Sequence, residues 1–338
     1  MKRKFLVFIP IIILAILVIA SGLYLFLRPD KEQDIILRIG YQPSTHHIAH
    51  IIAMEKGWWK ERLKNYGIVD VKEYLFPTGP PEMSAMLAGE IDVAYVGVTP
   101  PITAIYEGLE AKIIASVQLN GSDLVARSGF SYTGPQSLKE ARIATFPPGS
   151  IQDTILKKWL NQNRIDFHKD VKIYPMGPGE AVSALKAVAI DAAFLPHPSP
   201  TIIELEGFGK SVEQSGKMWK NGHICCVLLI SERFMEKYPD IAEEILKIHY
   251  ESTQYAKTHI NEASEIYSEK MGIDLNIIKK SFESWDGELI SNPYLAINST
   301  IDFATAIYEL NRGRYEHPLN QIQLFNLSIW DKITSNND

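Results

Sequence analysis

Hydroxyl, amide and imidazole side chains recur in this chain where an apolar run gives way to a loop. Gln42, Ser44, Thr45, His46 and His47 follow Leu37–Tyr41, Thr78 and Gly79 follow Val71–Phe76, and Gly97 and Thr99 follow Val93–Val96. Gly149, Ser150 and Gln152 follow Ile143–Phe146, Gly177 follows Tyr174-Pro175-Met176, and His197 sits between Pro196 and Pro198. Such groups donate and accept hydrogen bonds, and glycine lets a backbone approach closely. Free amides at a helix start suit an anionic head group such as sulfonate, nitrate or carboxylate. This is chemistry for holding a small solute. Each position also has a plainer reading: a helix cap for Ser44 or Thr45, a tight turn for Thr78-Gly79 and Met176-Gly177, a structural histidine at 197. Arg127 and Arg142 are the candidates for bidentate pairing with a sulfonate, with the outer face of a strand as the alternative. Trp58, Trp59 and Trp159 read as packing residues.

Catalytic and metal signatures are missing. There is no Gly-x-Ser-x-Gly elbow, His-Glu-x-x-His helix or phosphate-binding loop. No cofactor is expected. His46, His47 and His50 have no carboxylate spaced to complete a metal site, so no metal is expected. The chain has 2 cysteines, Cys225 and Cys226. Being adjacent, they make poor disulfide partners, and they are too few for a four-cysteine zinc site. Their apolar strand points to a buried structural role.

The elements that must position these loops repeat. Phe76-Pro77-Thr78-Gly79-Pro80-Pro81-Glu82, then Ala85-Met86-Leu87 and Ile91-Asp92-Val93-Ala94-Tyr95, corresponds to Tyr174-Pro175-Met176-Gly177-Pro178-Gly179-Glu180, then Ser183-Ala184-Leu185 and Ile190-Asp191-Ala192-Ala193-Phe194. Ile39–Ser44 likewise corresponds to Ile143–Ser150. Each copy reads β-α-β-α-β, which predicts two lobes built on mainly parallel sheets. Ile48, Ile51, Ile52 and Trp59 share helical spacing. Pro80 and Glu82 suit a first helical turn, where a negative charge would meet the helix dipole. Ligands of open α/β sheets bind beyond the carboxyl ends of the strands. The loops of two facing lobes would then line one cleft. The chain is expected to leave lobe one near residue 130 and to return along Ile224–Ile230. Lobe one is then 35–128 with 225–338, and lobe two is 129–224. The helices after Ser231 are expected to pack on lobe one.

The N-terminus predicts where the domain works. Residues 1–4 form a basic cytoplasmic tail, and Phe5–Leu27 is uncharged and apolar. That run is long enough to cross about 30 Å of hydrocarbon as a helix, and the basic flank places the remainder outside. The alternative is a signal peptide cleaved near Ala20-Ser21-Gly22, although signal cores usually run only about 7–15 residues. Four of the 34 basic residues lie in 1–28, and none of the 40 acidic ones does. The exported part is therefore more acidic than the whole chain's −6, which argues against nucleic-acid partners.

His50–Trp59, with its Ala53-Met54-Glu55-Lys56-Gly57-Trp58 core, resembles a segment of the nitrate, sulfonate and taurine solute-binding proteins. Gly89–Gly97 is similar to their glycine, acid, Ile-Asp, small, glycine segment. Ser137-Leu138-Lys139 with Ala144–Ser150, and Leu228–Pro239, look like their entry into and return from the second lobe. The order and spacing of these segments carry the resemblance, over about residues 35–335. It implies an α/β, type II periplasmic-binding-protein fold, here with an N-terminal transmembrane helix added. It also implies that the loop 42–47 faces the cleft. The expected function is that of an extracytoplasmic component of an ABC importer. It would capture a small, anionic solute by hinge closure and deliver it to the permease and its ATPase subunits. Two alternatives share the fold. One is an enzyme of thiamin-pyrimidine or menaquinone-pathway type, against which the anchor argues. The other is a membrane-anchored sensor, for which the short N-terminal tail leaves no output domain.

Overall fold

The computed structural model describes residues 34–219 and 221–335. The basic tail at 1–4 and the apolar run at 5–27 lie outside the described residues. Among those described, no helix is long and apolar enough to cross a membrane.

The first repeat forms Ile35–Tyr41 (β1), Ile48–Glu55 (α1), Trp58–Leu63 (α2), Ile68–Leu75 (β2), Gly79–Leu87 (α3) and Val93–Gly97 (β3). Thr99–Tyr106 (α4), Ala111–Leu119 (β4) and Ser122–Arg127 (β5) follow. The second repeat forms Arg142–Thr145 (β6), Ile151–Gln162 (α5), Lys172–Pro175 (β7), Pro178–Lys186 (α6) and Ala192–Pro196 (β8). Ser199–Leu205 (α7), Gly209–Gln214 (β9), Ser215–Met218 (α8) and Ile224–Ser231 (β10) come next. The rest is Glu232–Lys237 (α9), Pro239–Thr258 (α10), Ile260–Met271 (α11), Leu275–Ser284 (α12), Glu288–Leu289 (β11), Ile297–Leu310 (α13), Gln321–Leu324 (α14) and Ser328–Ser335 (α15).

The first sheet has the order β11-β4-β10-β3-β1-β2 and the second β7-β6-β8-β5-β9. Strands β2-β1-β3-β10 of one match β7-β6-β8-β5 of the other, so the sequence repeat is a structural repeat. Strand β1 is parallel to β3, and β6 is parallel to β7 and β8. Both sheets also contain an antiparallel strand. β10 runs against β3 and β4, and β5 runs against β8 and β9. These are the two strands that arrive from the other sheet. Strand β10 is covered on both faces as a central strand, which accounts for its unbroken apolar run.

Four sequence expectations change. β5 lies in the second sheet, so the outward crossing falls at Asn120-Gly121 and not near residue 130. The apolar run Leu124–Ala126 marks a strand but does not tell which sheet pairs with it. A third crossing exists as well. Helix α12 packs on α7 of the second lobe, and the Ser281 hydroxyl lies 3.1 Å from His197 Nδ1. Not all of the chain after 231 therefore belongs to lobe one. Gly57, at φ 72°, breaks the expected long helix, so Trp58 and Trp59 begin α2. Lastly, Glu82 does not offer its charge to a helix dipole. It is fully buried, which pushes its carboxyl well above the ordinary range.

The three crossings meet. Asn120 N–H donates to the His223 carbonyl at 3.0 Å, and His223 N–H donates to Asn120 Oδ1 at 2.8 Å. Asp286, just after α12, accepts from Gly121 N–H and Gly216 N–H, each at 2.8 Å. Gly121 needs its left-handed φ of 80°, and a Cβ there would stand 2.4 Å from Gln118 Nε2.

Behind the first sheet, buried His249 donates from Nε2 to the Ser116 carbonyl at 2.8 Å and accepts the Tyr95 hydroxyl at 3.2 Å. Burial lowers its pKa from 6.5 to about 4. An unfolded histidine protonates below about 6.5 while the native one stays neutral. Stability from this residue is thus present above pH 6.5 and lost as pH falls through 4, about 3 kcal/mol in all. Urea unfolding at pH 7 and pH 4 should show a smaller acid loss in His249→Gln than in the parent. Equal losses would remove His249 as the cause.

Candidate ligand-binding cleft

Strand ends from both sheets converge on one cavity. Gln42, Ser44, His46, His47, Gly79, Gly97, Pro100 and Cys226 line it from the first lobe. Phe146, Ser150, Ile151, Gln152 and Pro196 line it from the second. Its volume is about 10 Å3, room for about one water. The lobes are thus closed on each other. Ser44 Oγ donates across the cleft to the His197 carbonyl at 2.9 Å, and Thr99 Oγ1 donates to the Gly149 carbonyl at 3.0 Å.

Eight of the residues expected from the sequence line this cavity: Gln42, Ser44, His46, His47, Gly79, Gly97, Ser150 and Gln152. Thr45 and Thr78 are buried beside it, and Thr99 and Gly149 hold the lobes together. Gly177 faces Pro77 from the opposite lobe. His197 turns away. Its Nδ1 meets Ser281 and Thr201, and its Nε2 lies 3.5 Å from Asp123. Phe146, Ile151, Pro196 and Cys226 carry no polar-loop signature and were not foreseen.

Neither arginine reaches the cleft. Arg127 and Arg142 both bind Asp191, at 3.1 and 3.0 Å, at the opposite ends of the strands. Trp59 and Trp159 are core residues, and Trp58 packs edge-on against Tyr255. His47 is uncharged, because burial, with His46 and His50 beside it, holds it well below its ordinary range. Among the described residues no lysine or arginine lines the cavity.

The helices differ in what they can offer. The first turns of α3, α4, α6 and α7 contain proline, which removes N–H donors where a solute would look for them. α5 has no such loss, and its 12 residues leave the first-turn amides of Ile151 and Gln152 free of intrahelical carbonyls. Ser150 caps this helix by accepting from Asp153 N–H at 3.2 Å. Its hydroxyl proton stays free to donate into the cleft. Ser44 is already committed to His197.

Two lobes, two crossing strands of reversed direction and a polar cleft at the strand ends define the α/β periplasmic-binding-protein fold. The profile of the NMT1-like family matches residues 30–268, and the chain belongs to that family. Relatives and structural neighbours of the chain are named for binding sulfonates and nitrate. It is 28% identical, over 90% of both chains, to a Bacillus subtilis (strain 168) protein named for binding aliphatic sulfonates. The alkanesulfonate-binding protein SsuA from Xanthomonas axonopodis pv. citri, solved with MOPS bound, superposes with a TM-score of 0.75 at 17% identity, covering 86% of this chain and 98% of that one. The periplasmic nitrate-binding protein NrtA from Synechocystis PCC 6803 gives 0.74 at 18% identity, covering 90% and 89%.

Proposed function

We propose that this chain is the extracytoplasmic solute-binding component of an ABC importer, held to the membrane by residues 5–27. It captures a small anion by lobe closure and passes it to the permease and its ATPase subunits without chemical change. The observation that carries the anion is the start of α5, where a capping serine with a free proton and proline-free amides face a closed cavity. Relatives named for sulfonate and nitrate binding support the same class.

Thermal unfolding of the full chain in detergent, against nitrate, bicarbonate, taurine, short alkanesulfonates and thiamin pyrimidines, tests this. One anion should stabilise saturably, by roughly 2.7 kcal/mol at about 100 times its dissociation constant. Ser150→Ala should weaken that anion about tenfold or more, since a hydrogen bond to a charged group contributes about 1.5–3 kcal/mol. Ser44→Ala should change affinity less. Stabilisation by a neutral heterocycle alone, or product formation, would overturn the proposal.

A further inference from the structure

The floor of the cleft brings together side chains that the sequence keeps far apart. Cys225 Sγ lies 3.5 Å and Cys226 Sγ 3.6 Å from His46 Nδ1, and the two sulfurs are 3.7 Å apart. All three residues are buried. A tetrahedral zinc ion bonds sulfur at about 2.3 Å and imidazole nitrogen at about 2.05 Å. Those bonds require about 3.8 Å between the sulfurs and about 3.6 Å between sulfur and nitrogen. The three observed separations are therefore three edges of a zinc tetrahedron, already assembled.

The imidazole is also set in the right sense. His46 Nε2 donates to the Gly121 carbonyl at 2.7 Å, which leaves the lone pair on Nδ1, facing the sulfurs. Metal-ligating histidines are normally oriented in this way by a carbonyl or carboxylate behind them. The thiols are unevenly poised. Burial raises both, yet Cys226 and His46 together hold Cys225 well below its ordinary value, while Cys226 is raised further by Cys225. Among the described residues no other histidine, cysteine, aspartate or glutamate joins the group. His46 and Cys226 both line the cavity, so the fourth vertex opens on the cleft.

We propose that His46, Cys225 and Cys226 bind one thiophilic ion, zinc(II), with its fourth coordination position open to the cleft. Two thiolates and an imidazole select such an ion over magnesium or calcium. Binding converts both thiols to thiolates, and their protons leave to solvent. An open fourth position is the arrangement in which zinc accepts an exchangeable oxygen ligand.

Cobalt(II) is the probe, added to the reduced, metal-stripped full chain in detergent. No solute is needed, so the result is independent of the transport reading. The expected result is a thiolate-to-cobalt charge-transfer band that saturates at one equivalent and is displaced by zinc(II). Cys225→Ser and Cys226→Ser should each lose most of the band. His46→Gln should keep the band but weaken binding by at least about tenfold. If a variant fails to fold, as judged by circular dichroism, the parent still decides the matter. Zinc(II) should slow alkylation of Cys225 and Cys226 in it, read by mass spectrometry. No charge-transfer band, zinc affinity unchanged in both serine variants, or alkylation unaffected by zinc would each overturn the proposal.

Discussion

Gly97→Val should weaken solute capture by about 5- to 150-fold while leaving the fold intact. Gly97 ends β3 in the first lobe, and its nearest neighbour is the first residue of α5 in the second. A Cβ at this position would stand 3.2 Å from Ile151 Cγ2, with the other nearby atoms at 3.7 and 3.8 Å. The crowding therefore acts across the cleft, between parts that separate on opening. Overpacking of this kind costs about 1–3 kcal/mol. Because the open form escapes it, the cost falls on closure, and affinity should drop by about 5- to 150-fold. Titration calorimetry with the stabilising anion measures the affinity, and thermal unfolding without solute checks the fold. Unchanged affinity would mean that capture does not bring Gly97 and Ile151 together.

Glu82→Gln should stabilise the protein, increasingly so as pH rises. Glu82 Oε2 accepts from Gln42 Nε2 at 2.7 Å, and Oε1 has no partner. A Cβ at Gly40 would stand 2.8 Å from that oxygen, so only glycine leaves room for it. With its pKa pushed well above 4.5 by burial, the native carboxyl stays protonated while the unfolded one ionises. Stability from this group is present below about pH 4.5 and is lost as pH climbs toward the raised native value. Glutamine keeps the volume and the acceptor but cannot ionise. The variant's melting midpoint should match the parent's near pH 4 and exceed it by several degrees at pH 8. A variant less stable at every pH would show that Glu82 is ionised in the native state.

The local part of this structure was legible because it obeys short periods. Apolar runs giving way to polar or proline-containing loops located β1, β3, β6 and β8, and the repeated Gly-Pro-x-Glu block located the helices after β2 and β7. Ser150 and Gly79 were found because a strand end followed by a helix start is a local pattern. What stayed hidden depends on which distant pieces meet. Pairing of β5 with β8, the return of α12 to the second lobe and the meeting of residue 46 with 225 and 226 leave no local mark. Arg127 and Arg142 show the same limit. Their strands were visible, but only the strand directions in the sheet send both to Asp191 and away from the cleft. Hydrophobic liners such as Phe146 and Ile151 look like core in any sequence, because a closed cleft buries them as a core does.

Asp286 gives the moving parts a mechanical character. A pair of adjacent strands lets two bodies both swing and twist about one another. The third strap, tied by a single carboxylate to Gly121 and Gly216, lies across that pair and resists torsion. Under the proposed lobe closure, the swing that opens and shuts the jaws is the motion this strap hinders least. Less orientational disorder then has to be frozen when the jaws shut, so more of the contact energy remains for holding cargo.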